Sequence, residues 1–481
     1  MLTRTSTQSL TGQLADRLAE RIRTRLLPPG ARLPSVRECA RQQGVSPYTV
    51  VAAYDQLLAQ GLVEARRQRG FYVRDSAPAQ DGRPASGADA NGVMGMPAAI
   101  AVQMMASRVP ADASSLIRSM FHRPSDKPQP GMGVFPPDWM ASTFMPTAVR
   151  RVTGTAALQE LSLQYGEPAG DMSLRRSLSQ KLVGINVPAS PDQIVTTVGA
   201  THALDIVSRT LLRPGDPVMV EEPGWALEFA RLEALGMRIL PVPRRADGPD
   251  LEVMAQYCKL HSPKLFVSVS VLHNPTGYSL TPGSAHRVLK LANEYDFHIV
   301  EDDTYSHLAP EHATRLSALD GLQRTIYVSG FAKILAPNWR IGFFAAPPDL
   351  KERLLETKLL ATLTSPTLFE RALSWCIDQG QLRRHSERVR IRLDGARGRA
   401  VKLAMAHGCT FASEPAGLFG WVDTGVDTDA LTQRMLDQGY LLAPGSLFHA
   451  RRPPSTMMRI NFATSQDATF WKVFSKVRSE L

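Results

Sequence analysis

The 481-residue chain is poor in the groups that build metal centres and disulfide frameworks. Its four cysteines, Cys39, Cys258, Cys376 and Cys409, are scattered without metal-ligand spacing, and its eleven histidines form no H-x3-H cluster. This excludes a disulfide-stapled secreted scaffold and points to free thiols in a reducing, cytoplasmic setting. No metal site is expected. The sequence has no long apolar span and no signal-peptide pattern, and the first 25 residues read instead as a charged amphipathic helix. There is no internal repeat. Residues 75–92, DSAPAQDGRPASGADANG, lack any aromatic or branched side chain, so they cannot bury enough surface to fold. Eighteen such residues span roughly 60 Å fully extended, or about 23 Å on average as a flexible coil.

Lysine is also missing from residues 1–74, yet that segment is strongly basic. Twelve arginines against five acidic residues give it +7, of the +10 carried by the whole chain. Charge concentrated in this way suits a nucleic-acid surface. Leu10, Leu14, Leu18, Ile22 and Leu26 recur every four residues and mark one helix face, which Pro28-Pro29-Gly30 ends. Ser35 is placed to cap a short helix, Gly44 to turn the chain, and Ser46 to cap a second helix with Pro47 at its first position. In that second helix Val50, Tyr54, Leu57 and Leu58 face inward, leaving Tyr48, Thr49, Ala52 and Gln56 outward. A hairpin follows from 61–65 and 71–73, tipped by Arg66-Arg67-Gln68-Arg69-Gly70. Helix, turn, helix and a basic wing make a DNA-reading unit.

Beyond the linker the pattern changes. Apolar strand candidates at 194–199, 217–222, 237–243, 265–272, 297–302, 326–330 and 341–346 alternate with helical stretches, the signature of a doubly wound α/β sheet. Residues 328–343, VSGFAKILAPNWRIGF, place Lys333 on a turn after a strand, with Arg340 seven residues on. A lysine held there loses its proton by burial and forms Schiff bases, and an arginine offers a planar fork to phosphate. Gly199 turns a strand into a helix start, a ready anion site. Asn274 opens after one strand and Asp302 ends another, where a carboxylate can hold a pyridinium N–H.

These features resemble the fold-type I aminotransferases over roughly residues 110–481. The resemblance rests on NPTG at 274–277, the D-x-x-Y of Asp302 and Tyr305, the K-x6-R-x-G from Lys333 to Gly342, and the late arginine of Met458-Arg459-Ile460-Asn461-Phe462. It implies pyridoxal 5'-phosphate as cofactor, with Lys333 as the internal aldimine lysine and Asp302 as the pyridinium partner. Tyr305 and Asn274 would share the ring hydroxyl, Trp225 would stack on the ring, and Ala200, Thr201 and Arg340 would touch the phosphate. Arg459 matches the arginine that grips a substrate carboxylate, and Tyr165 the residue that reaches a partner subunit's cofactor in a homodimer. The chain departs from the family at Gly330 and Ala332, where hydroxyl residues are usual, which implies either a weaker phosphate grip or the use of Ser329, one step early.

The amino-terminal segment resembles the GntR winged helix-turn-helix, through G-x-x-LPS-x-R at 30–37 and V-S-x-x-TV-x-x-AY-x-x-L at 45–57. That resemblance implies DNA contacts by Arg32, Ser35, Arg37, Ser46, Tyr48, Thr49, Arg66, Arg67 and Arg69; Pro47 replaces the basic residue often found there. Together the two parts resemble the MocR/GabR-type regulators. The expected organisation is a head at 1–74, a linker at 75–109, a cofactor-binding large lobe at 110–346 and a small lobe at 347–481. The expected function is a regulator that binds an operator and senses an amino acid or amine through Lys333. An active aminotransferase with an appended DNA-binding head uses the same residues and is the alternative.

Overall fold

The structure is a computed structural model that describes residues 9–23, 27, 29–66, 70–74, 125–154, 159 and 163–481. The expected linker and the wing-tip residues Arg67 and Arg69 lie outside these residues. Two compact units form: one takes in the amino-terminal part of the chain through residue 127 together with 429–441, the other residues 128–428 and 442–480.

In the first unit, helices α1 (Leu10–Arg23), α2 (Val36–Gln43) and α3 (Pro47–Ala59) precede a hairpin of β1 (Val63–Arg66) and β2 (Gly70–Val73). The four-residue spacing becomes a buried stripe of Leu14, Leu18 and Ile22, widened by Ala15 and Ala19. That stripe packs with Val50, Ala53, Tyr54 and Leu57 of α3 in one apolar cluster. Ser35 caps α2 by accepting from Glu38 N–H at 3.3 Å, and Ser46 caps α3 by accepting from Thr49 N–H at 3.1 Å. Gly44 ends α2 at φ +64°, a left-handed conformation that glycine adopts without strain. The buried Tyr54 hydroxyl donates to Pro34 O at 2.8 Å, which fixes α3 against the turn before α2.

The second unit is built on an eight-stranded sheet of order β3-β10-β9-β8-β7-β4-β5-β6. Its strands are β3 (Ile194–Thr197), β4 (Pro217–Glu222), β5 (Arg238–Arg245), β6 (Gly248–Pro249), β7 (Leu265–Ser268), β8 (His298–Asp302), β9 (Thr325–Gly330) and β10 (Gly342–Ala345). The four pairings β4–β5, β4–β7, β7–β8 and β8–β9 are parallel, whereas β10 runs antiparallel to both β3 and β9. Both faces are covered, as a parallel sheet requires. Val218, Val220, Leu265, Val267 and Val300 join the core on one face; the intervening Met219, Phe266 and Ile299 join a separate cluster on the other. The two-residue alternation assigns each side chain its face.

A four-stranded antiparallel sheet lies later in the chain, ordered β11 (Thr410–Phe411), β12 (Phe419–Asp423), β14 (Met457–Asn461) and β13 (Ala443–Pro444). It carries Arg459 directly opposite Trp421 on one side and Ala443 on the other.

Candidate active site and nucleic-acid interface

The chain folds so that the carboxyl ends of β3, β4, β7, β8 and β9 each deliver one element of the expected site. Helix α4 (Ala200–Leu211) follows β3 through Gly199, whose φ of +88° is open to glycine, and no side chain caps it. Its first N–H groups, Ala200 and Thr201 among them, have no helical carbonyl to bond. Arg340 lies over this start: its Nη2 donates to Val198 O at 3.1 Å, and a Cβ added to Gly199 would meet the same nitrogen at 2.5 Å. Gly342 allows the close approach, because a Cβ there would sit 2.4 Å from the Gly199 carbonyl carbon and 2.5 Å from Ala200 N. Uncapped amides, a positive helix end and a guanidinium converge on one point, which suits a phosphate.

Lys333 follows β9. Its Nζ donates to Gly133 O at 2.9 Å. Although partly accessible, the amine is closely surrounded. Burial, then the positive Arg459 and Arg340 against the opposing Asp302, lowers its pKa to about 8. Gly133 also faces Arg459: a Cβ at that glycine would lie 3.6 Å from Lys333 Nζ and 3.8 Å from Arg459 Nη2, so the two cationic groups stand within about 7.4 Å of each other.

Arg459 is buried between aromatic faces, its guanidinium carbon 4.4 Å from the Phe419 ring centre and 5.1 Å from that of Phe448. Nη1 donates to Asn274 Oδ1 at 3.0 Å and Nη2 to Gly131 O at 2.7 Å, while Nε is buried without a partner. Burial lowers its pKa to about 10. Asn274 lies beside the Tyr305 hydroxyl, and burial raises the Tyr305 pKa despite the neighbouring Arg459.

Glu301 and Asp302 end β8 and Asp303 follows it, and the structure separates their roles. Glu301 is tied to Ser270 Oγ at 2.5 Å and to the N–H groups of Leu316 and Ser317 at 2.6 and 2.8 Å. Asp303 accepts from Arg315 Nε at 2.6 Å and from the Tyr327 hydroxyl at 2.9 Å. Asp302 is held by its own turn, through the Thr304 hydroxyl and the Thr304 N–H at 3.0 Å. Burial raises its pKa to about 6 against those bonds.

Trp225 is half-buried at the start of helix α5 (Ala226–Ala234), on a turn tied to Phe448 O by Gly224 N–H at 2.8 Å. Ser329 is not free for a phosphate: it is buried and its hydroxyl donates to Asp303 O at 2.9 Å. Tyr165 is 81% exposed. Sequence reasoning missed residues 131–134 and Asn461. Asn461 donates from Nδ2 to Met132 O at 2.9 Å and to Val134 O at 2.8 Å, holding the carbonyl-bearing loop against the lysine and arginine. Its signal was the two-residue spacing from Arg459, which puts both on one face of β14.

The donor set fits pyridoxal phosphate. A phosphate cradle, a carboxylate at a strand end, an amide beside a tyrosine hydroxyl and a half-buried lysine lie along the carboxyl ends of the strands, with an aromatic on the turn after β4, and the buried Arg459 Nε has no partner. Among the described residues no group of three or more histidine, cysteine or acidic side chains is arranged to hold a metal, and no helix is long and apolar enough to cross a membrane.

In the head, Tyr48, Arg32, Arg37, Ser35 and Ser46 are exposed and Thr49 is half-buried. Arg32 lies beside Gly70 of the wing, a Cβ there meeting its Nε at 3.5 Å. Arg66 pairs with Glu64 at 2.7 Å and sits 4.5 Å over the Tyr72 ring.

Residues 135–476 match the family "Aminotransferase class I and II", and residues 10–73 match "Bacterial regulatory proteins, gntR family". The HTH-type transcriptional regulator YdcR of Escherichia coli, itself uncharacterized, is 28% identical over 460 residues, covering 94% of each chain. A protein of Rhizobium meliloti named as a probable rhizopine catabolism regulatory protein, MocR, is 28% identical over 477 residues, covering 97% of this chain and 92% of its own. Among solved structures, the kynurenine aminotransferase of Pyrococcus horikoshii, crystallised with PMP, superposes with a TM-score of 0.68 at 26% identity, over 76% of this chain and 94% of its own. The chain therefore belongs to the aminotransferase class I and II family, and its fold-type I body joined to a GntR-type DNA-binding domain gives it the architecture of the MocR-type regulators.

Proposed function

We propose that the protein is a pyridoxal phosphate-dependent transcriptional regulator that senses a small amino acid. The carrying observation is that Lys333 and Arg459 face the same glycine, Gly133, so that one small molecule can present an amine to the first and a carboxylate to the second. When bound, pyridoxal phosphate supplies an electrophilic carbonyl on an electron-withdrawing ring. In this reading Asp302 holds the ring N–H, Tyr305 and Asn274 share the ring hydroxyl, and Trp225 covers the ring face. Ala200 N–H, Thr201 and Arg340 hold the phosphate. Lys333, with its lowered pKa, is the attachment amine, and Arg459 accepts the effector's carboxylate through a planar fork. The head at 1–74 binds double-stranded DNA, with Arg32, Arg37 and the wing arginines on phosphates and Tyr48 and Thr49 toward bases. A linker at 75–109, a large lobe at 110–346, a small lobe at 347–481, a homodimer in which Tyr165 reaches the partner's site, and a cytoplasmic location complete the proposal.

An effector that binds two conformations of the body unequally shifts the DNA-binding equilibrium by that difference. The test is an absorbance titration of the cofactor-loaded protein with a panel of amino acids and amines. A regulator's cofactor band moves with one compound and stays, with no keto acid formed on adding an acceptor. Cycling of the band with accumulating keto acid makes the body a working transaminase, the second reading, which uses the same residues.

A further inference from the structure

We infer that α3 reads A·T base pairs, chiefly through the 5-methyl groups of thymine, and draws almost none of its affinity from charge. The inference rests on the proposed role of the head in binding DNA. Tyr48, Val51, Ala52 and Asp55 recur at i, i+3, i+4 and i+7, forming one face of α3 opposite the buried Val50, Ala53, Tyr54 and Leu57. On this face Tyr48 is 83% exposed and Val51 41% exposed, an unusual display of apolar surface for a helix in a basic module.

The composition of the face decides what it can recognise. Residues 45–60 contain no lysine, arginine, histidine or asparagine, and their one charge is the negative Asp55. Guanine presents two acceptors in the major groove, for which a bidentate arginine or lysine is the usual reader; α3 has neither. Thymine presents a methyl group, which apolar side chains read, and its partner adenine presents the acceptor–donor pair that a glutamine amide matches. Val51 and Ala52 supply the first, with the Tyr48 ring, and the exposed Gln56, the one amide in α3, supplies the second. The hydroxyl of Thr49 is already engaged with Ser46 Oγ at 2.8 Å, which leaves it less free to bond a base edge. Phosphate grip falls to residues flanking the helix: Arg32, Arg37 and Arg41, all exposed. Affinity and sequence preference are thereby carried by separate residues of the head.

The experiment selects binding sites for the full-length protein from a random duplex library at low salt. The enriched duplex is then remade with each thymine replaced by uracil, which removes the methyl and keeps every hydrogen-bonding group. The expected result is an A·T-rich half-site in which each contacted thymine loses about fourfold in affinity as uracil, the worth of one buried methyl. Val51→Ala and Tyr48→Ala, at exposed positions, should erase the thymine–uracil difference at their own base steps while leaving salt dependence intact. A selected site insensitive to uracil but weakened by 7-deazaguanine overturns the inference. So does salt-dependent binding without enrichment of any sequence, though that outcome leaves DNA binding by the head standing. Absence of binding to any duplex at low salt removes both the inference and the DNA-binding reading it rests on.

Discussion

Arg459 donates from Nη1 to Oδ1 of Asn274 at 3.0 Å, joining residues 185 apart in sequence and linking the last strand of the small sheet to the loop after β7. The bond spends one acceptor of the asparagine and orients the guanidinium, leaving the buried Nε without a partner. Arg459→Lys keeps a charge but loses the fork and the stacking on Phe419. It should weaken an effector bearing a carboxylate by about 10–100-fold, the worth of one or two charge-assisted hydrogen bonds. Amines lacking a carboxylate should bind unchanged. Equal losses for both classes in the absorbance titration would contradict a carboxylate role.

Lys333→Ala should abolish the cofactor's visible absorbance and leave DNA binding at low salt intact. Retained absorbance in that variant would remove the attachment role. In the unsubstituted, cofactor-stripped protein, uptake should follow the neutral amine. Because burial lowers the lysine to about 8, the neutral form appears above that pH rather than above 10.5. At pH 7.5 about a quarter of the sites carry it, against about one in a thousand for an ordinary lysine. The uptake rate measured across pH 6–10 should therefore rise to a plateau with a midpoint near 8; a midpoint near 10 would show an unburied lysine.

Asp302 carries an opposite trade. Its folded pKa is raised to about 6 from 3.8, so the folded state binds the proton more tightly than the unfolded one. The associated stability is fully present below about pH 4 and is lost as pH rises through 6. At pH 7.5 the cofactor-free protein thus holds the half-buried Asp302 as a carboxylate at a cost of about 1–3 kcal/mol. Asp302→Asn, which retains an acceptor for Thr304, should raise the melting temperature of the cofactor-free protein at pH 7.5 while weakening cofactor retention. A lowered melting temperature would show that the charge is satisfied by a neighbour.

Arg37→Ala should weaken binding to all duplexes alike and reduce the slope of log affinity against log salt by about one, as expected for one lost phosphate contact. An effect confined to a single base position, seen by comparing selected and scrambled duplexes, would instead make Arg37 a base reader.

Much of this was legible in the sequence because the informative patterns are local. β-Branched and apolar runs marked all seven main strands within a few residues; Lys333, Asp302 and Arg340 each sit at or just beside a strand end that its own neighbours define, and Asn274 lies in the loop after β7. The two-residue β6, Gly248–Pro249, was not legible, since two residues show no periodicity. Nor was the loop at 131–134: its carbonyls reach Lys333 across 200 residues, and backbone contacts leave no side-chain pattern to read. Ser329 illustrates a subtler limit. A hydroxyl near the right place in sequence was expected at the phosphate, but strand alternation sends it into the sheet, toward Asp303 O. Arg66, expected as a wing contact, also pairs with Glu64 and lies over the Tyr72 ring, contacts that no sequence pattern announces.

The close passage of Gly342 under Gly199 and Ala200 bears on how such chains diversify. A change of effector asks for new side chains around Arg459, and a relative that abandoned cofactor chemistry could dispense with Lys333. Neither change relaxes position 342, where even a methyl group would press on two backbone atoms at 2.4–2.5 Å. Across relatives of divergent specificity, glycine at this position should outlast the lysine, a lineage marker set by steric exclusion and independent of what the protein detects.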